Sequence, residues 1–258
     1  MRLAVIDLGT NSARLSIHDY KNGDLELIHK EKIRVSLGTS VFKKGSVDFK
    51  HLSKTIAAFQ EFSERIETFD VDYVSAKATS ALREAQNGIE VAHIIQKKTG
   101  IGIEIISGEK EAHLIAKGVL ANENLSRGQV GLLDIGGGSS EISVWKNGAL
   151  EKCESLQLGG LRFQELVLKE HPPTSLTIRK TRQQVRRVLG HRIRNWNMGQ
   201  RIFGTGGTIK VIGNVLSELT GSDQIERGDL KKLVQDLSEM TLRSFWPAGS
   251  FSKKRWIF

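Results

Sequence analysis

Two stretches of the chain decide its fold, and each repeats the pattern of the other. Residues 3–17 read LAVIDLGTNSARLSI, and residues 130–144 read VGLLDIGGGSSEISV. Each begins with an apolar run that ends in an aspartate, Asp7 or Asp134, and each continues through a glycine loop into a second run with alternating apolar residues. Alternation with a period of two is typical of a half-buried strand. The sequence therefore predicts an acid-tipped strand, a glycine loop and a second strand twice, 127 positions apart.

An Asn-Gly pair follows the second run in both stretches, at 22–23 and at 147–148. Asn-Gly between alternating runs favours a tight hairpin, because both central positions of the turn need positive φ. A third extended run then reaches Leu37-Gly38 in the first half and Leu158-Gly159 in the second. So many matched features in the same order indicate an internal repeat.

Helical periodicity follows the third run in each half. The predicted helices of the first half cover 51–69, 80–85, 90–99 and 108–121, and its further strands cover 71–76 and 101–106. The predicted helices of the second half cover 161–169, 177–196 and 208–219, with a short strand at 201–203 and a glycine turn at 204–207. This mixture predicts an α/β fold with mixed sheets. Two similar halves predict two lobes that face each other across a cleft.

We place the boundary between the lobes so that residues 1–123 form the N-terminal lobe and residues 124–258 the C-terminal lobe. The second half lacks a counterpart of the strand at 101–106, and residues 243–258 show no clear period. Two interpretations of this end of the chain stay open. Either it is an irregular tail, or the second lobe is truncated after about residue 240, before a final strand and helix.

The composition of the 258 residues excludes several classes of protein. The single cysteine, Cys153, rules out an intramolecular disulfide and a metal site made of thiolates alone. No apolar run approaches the roughly 20 residues that span a bilayer, and only four apolar residues follow Met1-Arg2, so we expect a cytoplasmic protein without a membrane partner. A net charge of +9 and a pI near 9.7 favour an anionic partner.

The two glycine loops are candidate phosphate-binding sites, because a glycine turn after a strand lets backbone N–H groups approach an anion closely. The candidate residues are Gly9, Thr10, Asn11, Ser12, Gly136, Gly137, Gly138 and Ser139. Asp7 and Asp134 would repel a phosphate unless a divalent cation lay between them. Mg²⁺ is the expected ion, since it prefers one or two carboxylates together with waters and phosphate oxygens. The alternative is a pair of tight hairpin turns without a ligand, but the matched pair favours a phosphate clamp.

Five motifs occur in order: IDLGTNS at 6–12, ATSALREAQN at 78–87, ISGEKEA at 106–112, DIGGGSSE at 134–141 and GTGGT at 204–208. Together they resemble the exopolyphosphatase / guanosine pentaphosphate phosphohydrolase family over about residues 1–240. The resemblance implies two ribonuclease-H-like lobes with mixed five-stranded sheets flanked by helices, which is the actin-like ATPase fold, with the active site in the cleft between the lobes. It also implies Mg²⁺-dependent hydrolysis of a terminal phosphoanhydride in polyphosphate or guanosine pentaphosphate.

The same resemblance implies roles for individual residues. Glu111 matches the catalytic glutamate that orients or deprotonates the attacking water, and Arg83 matches a cleft arginine that neutralises phosphate charge. The residues implied in metal binding are Asp7, Asp134 and Glu141, and those implied in closing the phosphate channel are Gly206 and Gly207. Without the resemblance, Glu111 and its weaker alternative Glu109 would be interpreted as first-turn helix acids, and Arg83 as a solvated helix arginine.

Three questions stay open at this level. Residues 175–217 contain no Asp or Glu, and they form either a solvated face, an electrostatic track that draws polyphosphate to the cleft, or a nucleic-acid surface. Nucleic acid is the least expected partner, because aromatic residues make up only 6% of the chain. The alternatives to a hydrolase are an ATP-dependent kinase with the same architecture and a non-catalytic sensor of polyphosphate or guanosine pentaphosphate. The resemblance also allows for a homodimer.

Overall fold

The computed structural model of the chain describes residues 1–122, 128–168, 170 and 173–239. The elements of the first half are β1 (Arg2–Leu8), β2 (Ser12–Lys21), β3 (Asp24–Arg34), α1 (Leu37–Lys44), α2 (Phe49–Thr68), β4 (Tyr73–Ala78), α3 (Ser80–Glu84), α4 (Gly88–Thr99), β5 (Ile103–Ile105) and α5 (Gly108–Asn122). Those of the second half are β6 (Gln129–Ile135), β7 (Ser140–Lys146), β8 (Ala149–Leu156), α6 (Gly160–Leu166), α7 (Ser175–Arg192), β9 (Arg201–Thr205), α8 (Gly206–Thr220) and α9 (Arg227–Glu239). Among these, no helix is long and apolar enough to cross a bilayer.

The strands form two sheets with the same topology. Sheet 1 has the order β3-β2-β1-β4-β5, and sheet 2 has the order β8-β7-β6-β9. In each sheet the first three strands in the chain form an antiparallel meander, and the next strand pairs in parallel with the first. In the described residues sheet 2 has four strands, whereas the resemblance implies five in each lobe.

The internal repeat extends to details of the strand pairing. Both hairpin turns have an asparagine with positive φ, 54° at Asn22 and 50° at Asn147, followed by a glycine with positive φ. This geometry is the one that an Asn-Gly hairpin requires. A register shift falls between Ile17 and His18 in β2 and between Val144 and Trp145 in β7, again 127 positions apart. The two halves are therefore copies of one structural unit.

The main core lies on one face of sheet 1, under α2 and α4. Helix α2 begins after Asp48, whose side chain accepts a hydrogen bond from the backbone N–H of His51 at 3.1 Å. This contact satisfies one of the free amides at the helix start. Helix α2 then buries Ala58, Phe59 and Phe62, whose spacing of three and four residues places them on one face.

Helix α5 follows sheet 1 in the chain but packs against sheet 2. Its Ala116 is buried with Val130, Leu132 and Trp145, and the ring of His113 lies 5.8 Å from that of Trp145. The opposite face of sheet 2 is covered by α6 and α7, which contribute Phe163, Val185, Val188 and Leu189 to a separate core cluster. Helix α5 thus connects the two halves, and the proposed boundary between residues 123 and 124 stays a prediction.

Most of the predicted elements are confirmed to within a few residues of their ends. The prediction of a glycine turn at 204–207 is wrong, because β9 continues to Thr205 and α8 begins directly at Gly206. Helices α1 and α9 were not predicted. Helix α1 has only eight residues, so its formation depends on packing against α6, which its local sequence does not reveal. The prediction for residues 243–258 lies outside the described part of the chain.

Candidate active site

The two glycine loops connect the first and second strands of each sheet and have the same hydrogen bond. The backbone N–H of Gly9 donates to the carbonyl of Ser12, and that of Gly136 donates to the carbonyl of Ser139, both at 3.0 Å. The loops also meet each other. A Cβ added to Gly138 would lie only 2.6 Å from the hydroxyl of Thr10, so the close approach of the loops requires glycine there.

The eight predicted phosphate-binding residues of the two loops differ in exposure. Gly9, Asn11, Gly136 and Gly137 are half-buried, and Thr10, Ser12, Gly138 and Ser139 are buried. The half-buried residues line the junction, but the backbone N–H groups of Gly9 and Gly136 are already used within their own loops. The buried ones support the loops and hold the lobes together.

The two strand-tip acids share one cleft. Burial raises the pKa of Asp7, and the Arg14 guanidinium opposes this effect by donating to the Asp7 carboxylate at 2.9 Å. Burial also raises the pKa of Asp134, while Thr205 Oγ1 donates to that carboxylate at 2.9 Å and lowers the pKa in part. The negative charge of Asp7 raises the pKa of Asp134 further.

Gly206 brings the start of α8 against Asp134. Its φ of 87° is in the left-handed region, and a Cβ at this position would lie 2.6 Å from Asp134 Oδ1. Glycine is therefore needed for this approach. Gly207 follows in the first turn of α8, where a Cβ would meet no other atom within 4 Å. Both glycines of the predicted channel loop thus lie beside the cleft, but only Gly206 is sterically required.

Glu111 lies in the first turn of α5, and the glycine before it explains how it reaches the cleft. A Cβ on Gly108 would lie 2.2 Å from the Cβ of Ser155 on β8, so only glycine lets the helix start against sheet 2. The side chain of Glu111 is 16% exposed and its Oε2 accepts a hydrogen bond from Arg83 at 2.9 Å. Arg83 also donates to the carbonyl of Ile106 at 3.0 Å. The two predicted catalytic residues are therefore in direct contact, whereas Glu109 is exposed.

The electrostatic surroundings of Glu111 suit a proton acceptor. Burial, and next the negative charge of Glu141, raise its pKa to about 7, while the hydrogen bond from Arg83 acts in the opposite direction. A general base works best when its pKa lies near the operating pH. The direction of this shift suits a group that accepts a proton, and the role of Glu111 as the base stays a prediction.

Glu141 is almost fully buried in β7, directly opposite Asp134 in the strand register. Burial raises its pKa, and the hydroxyl of Ser155, which donates to it at 2.7 Å, lowers the pKa in part. The charge of Asp134 raises it again. A half-buried carboxylate and a buried one thus occupy opposite positions on paired strands, an arrangement that a bound cation would relieve.

The predicted metal ligands fit Mg²⁺ in chemistry but do not form a complete cage. Among the described residues there is no group of three or more His, Cys, Asp or Glu side chains arranged to hold a metal ion. Mg²⁺ keeps several waters and needs only one or two carboxylates besides the substrate phosphates. Asp134 and Glu141 provide such a pair, and Asp7 already has Arg14 as a cationic partner. These residues therefore fit a Mg²⁺ ion whose remaining ligands would be waters and substrate phosphates.

Several residues around the cleft were missed by the sequence reasoning. Arg14, Thr205 and Ser155 hydrogen-bond the acids, and Glu84 and Arg162 join the two lobes. Arg14 could have been found, because it lies 127 positions before Glu141 and is therefore its counterpart in the repeat. Glu84 and Thr205 lie within two of the five motifs, but their contacts, like those of Ser155 and Arg162, join distant parts of the chain and have no local signal.

Helix α7 carries most of the basic residues of the stretch at 175–217. The arginines of α7 are exposed, while Val185, Val188 and Leu189 on its other side pack onto the core. Which of the three interpretations of this surface is correct stays open. Burial raises the pKa of Cys153 to about 11, so its thiol is not activated.

Sequence comparison finds one family over most of the chain. A model of the Ppx/GppA phosphatase family matches residues 16–247. Exopolyphosphatase 1 of Mycobacterium tuberculosis (strain ATCC 25618 / H37Rv) is 31% identical over 174 residues, which are 67% of this chain and 51% of that protein. Exopolyphosphatase 2 of the same strain is 27% identical over 258 residues, 93% of this chain and 81% of that protein. The chain thus spans about half the length of the first of these relatives.

Solved structures give the same result for the fold. The crystal structure of the Aquifex aeolicus member of the Ppx/GppA family is similar with a TM-score of 0.76 and 28% identity, over 94% of this chain and 80% of that one. An exopolyphosphatase from Cytophaga hutchinsonii (ATCC 33406) is similar with a TM-score of 0.82 and 25% identity, over 92% of this chain and 80% of that one. The predicted fold class, two ribonuclease-H-like lobes of the actin-like ATPase type, is confirmed.

Proposed function

The chain belongs to the Ppx/GppA phosphatase family, and we propose that it is a phosphohydrolase that releases terminal phosphate from inorganic polyphosphate. Guanosine pentaphosphate is the second proposed substrate, because it ends in the same kind of phosphoanhydride. The names of two relatives, both exopolyphosphatases, favour polyphosphate. The observation that carries the proposal is the contact between Glu111 and Arg83 beside two matched glycine loops.

In the proposed reaction, the two loops hold the terminal phosphates through the backbone N–H groups of Asn11 and Gly137, since those of Gly9 and Gly136 bond within their own loops. Such preorganised donors stabilise the charge that develops on the transferred group. Holding the phosphate and the water in line converts a bimolecular reaction into one between positioned groups. The contact of Thr10 with Gly138 keeps the two loops at a constant separation.

Glu111 accepts a proton from the attacking water as the water oxygen bonds to the terminal phosphorus. The bond between that phosphorus and the bridging oxygen then breaks, and the shortened chain leaves with the electron pair on its oxygen. The positive charge of Arg83 lies beside Glu111 and offsets the negative charge on the reacting phosphates. General-base assistance of this kind contributes about 10²–10⁴-fold in rate.

Mg²⁺ is part of the proposal, with Asp134 and Glu141 as its ligands and Asp7 on the opposite wall of the cleft. When bound, the ion would neutralise phosphate charge and orient the substrate. The raised pKa values of both carboxyl groups support this assignment, because a half-buried acid and a buried one on paired strands favour a cation between them.

The test is a phosphate-release assay with purified protein, with and without Mg²⁺, on long-chain polyphosphate and on guanosine pentaphosphate. We expect release that requires Mg²⁺ with at least one of the two substrates. Glu111→Gln keeps the size of the side chain but removes the base, and turnover should fall by about 10²–10⁴-fold. Glu109→Gln is the matched control, since Glu109 is exposed in the same helical turn.

A second measurement separates the alternatives. Equilibrium binding of polyphosphate should survive in Glu111→Gln if the residue acts only in the chemical step. Wild-type binding without any turnover would indicate a sensor and contradict the proposal. Transfer of phosphate from ATP to an acceptor, with no release from polyphosphate, would indicate a kinase.

A further inference from the structure

We propose that Arg162, a residue of the second lobe, is a positioning residue for Arg83 and acts on it through Glu84. This inference rests on the proposed function, in which Arg83 is a catalytic residue. It assigns a role to an ion pair that joins the two lobes across the edge of the cleft.

Arg162 makes more contacts than an ordinary surface arginine. Its Nη2 donates to both oxygens of Glu84, at 2.5 and 2.7 Å, and its Nε donates to the carbonyl of Gly138 at 2.6 Å. Its guanidinium also lies 4.2 Å above the centre of the Phe42 ring. The side chain is only 11% exposed. A guanidinium held by two acceptor groups and an aromatic face has one orientation.

The side chain of Glu84 is also held by several hydrogen bonds. Besides the two bonds from Arg162, it accepts a hydrogen bond from Ser80 at the start of its own helix at 2.9 Å, and its side chain is 23% exposed. Gln157 of the second lobe lies within 3.4 Å of its other oxygen. The last residue of α3 is therefore fastened to the second lobe.

Arg83 is the residue immediately before Glu84, in a helix of only five residues. Arg83 donates to Glu111 and to the carbonyl of Ile106, so it is turned toward α5 while Glu84 is turned toward α6. So short a helix has little stability of its own. Its orientation is therefore set by the contacts at its ends, and release of Glu84 would let α3 rotate and carry Arg83 away from Glu111.

The proposal predicts that substitutions of Arg162 or Glu84 reduce activity because they displace Arg83. Arg162→Met keeps an unbranched chain but removes the donors, and we expect turnover to fall by about 10- to 100-fold, the effect of a small displacement of a catalytic group. Glu84→Gln keeps the volume of the carboxylate, weakens the same pair and should reduce turnover in the same direction. Arg192→Met is the control, because Arg192 forms a more exposed ion pair with Glu154 within the second lobe.

A double-mutant cycle separates positioning from general support of the fold. In protein that already carries Arg83→Met, Arg162→Met should cause little further loss, since the group that it positions is gone. Additive losses in the cycle would overturn the proposal, because independent sites add. The thermal midpoint of each variant shows whether the protein is folded, and Glu84→Gln replaces Arg162→Met in the cycle if the latter fails to fold.

A second readout does not depend on turnover. The side-chain Nε–Hε signal of Arg83 can be observed in protein with ¹⁵N-labelled arginine and assigned from its disappearance in Arg83→Lys. We expect Arg162→Met and Glu84→Gln to move this signal toward those of exposed arginines, and Arg192→Met to leave it in place. An unmoved signal in a folded variant would overturn the positioning role. Absence of wild-type turnover would overturn the proposed function alone, because the signal still tests the contact.

Discussion

Glu141 occupies the position in the second sheet that Arg14 occupies in the first. Arg14 lies opposite Asp7 in the pairing of β1 with β2, and Glu141 lies opposite Asp134 in the pairing of β6 with β7. One acid of the repeat is therefore neutralised by an arginine, and the other has a second acid beside it. This difference makes the second wall of the cleft the more acidic one, and it is therefore the wall where we propose that Mg²⁺ binds.

The first prediction follows from this asymmetry. Mg²⁺ should raise the thermal midpoint of the wild-type protein at pH 8, because an ion that binds only the folded state stabilises it. Glu141→Gln and Asp134→Asn should each remove most of that increase. Glu151→Gln is the control, since Glu151 is a more exposed acid on the neighbouring strand. Equal midpoint shifts in all four proteins would show that the ion binds elsewhere.

The second prediction concerns stability without metal. Burial raises the pKa of Glu141 in the folded protein above its value in the unfolded chain, so ionisation favours unfolding. This destabilisation is absent at acid pH and develops as the pH rises above the unfolded-state pKa. Glu141→Gln should therefore increase the free energy of unfolding at pH 8 but not at pH 4, as measured by urea denaturation in chelator. A variant less stable than wild type at pH 8 would contradict this.

The third prediction is the pH dependence of activity. The pKa of Glu111 is raised to about 7, and the carboxyl must be ionised to accept a proton. The rate constant kcat/KM should therefore fall as the pH decreases through this range and level off above it. Arg83→Met removes a charge that lowers the pKa of Glu111, so the midpoint of the fall should move to higher pH in the residual activity of that variant. A midpoint near the ordinary glutamate pKa would exclude Glu111 as the base.

The fourth prediction tests the approach of α5 to β8. Gly108→Ala places a methyl group 2.2 Å from the Cβ of Ser155, so the helix must shift. We expect a loss of about 1–3 kcal/mol in the free energy of unfolding, together with reduced turnover because Glu111 moves. Gly190→Ala in α7 meets no atom within 4 Å and should be neutral or stabilising. Comparable stability losses in both variants would mean that the contact with Ser155 is not the cause.

Much of this architecture could be predicted from the sequence because its signals are local. The alternation in 3–17 and 130–144 indicates strands, and the two Asn-Gly pairs indicate hairpins, since few residues other than glycine and asparagine adopt positive φ readily. The glycine loops were identified for the same reason, whereas the roles of Glu111 and Arg83 were implied only by the resemblance of their motifs to a known family. Helix α1 was not predicted from the sequence, because its stability comes from contact with α6.

What only the tertiary structure decided is which charges become neighbours. The sequence by itself determined that an acid ends each of two equivalent strands and that a glutamate begins α5. It did not reveal that Arg83 meets Glu111 or that Arg162 meets Glu84, which is 78 positions away. Those contacts form because folding brings distant segments together and removes water, within one half for Arg83 and Glu111 and between the two halves for Arg162 and Glu84. Burial then strengthens the interactions between these charges, and no local pattern in the chain predicts which residues will be buried together.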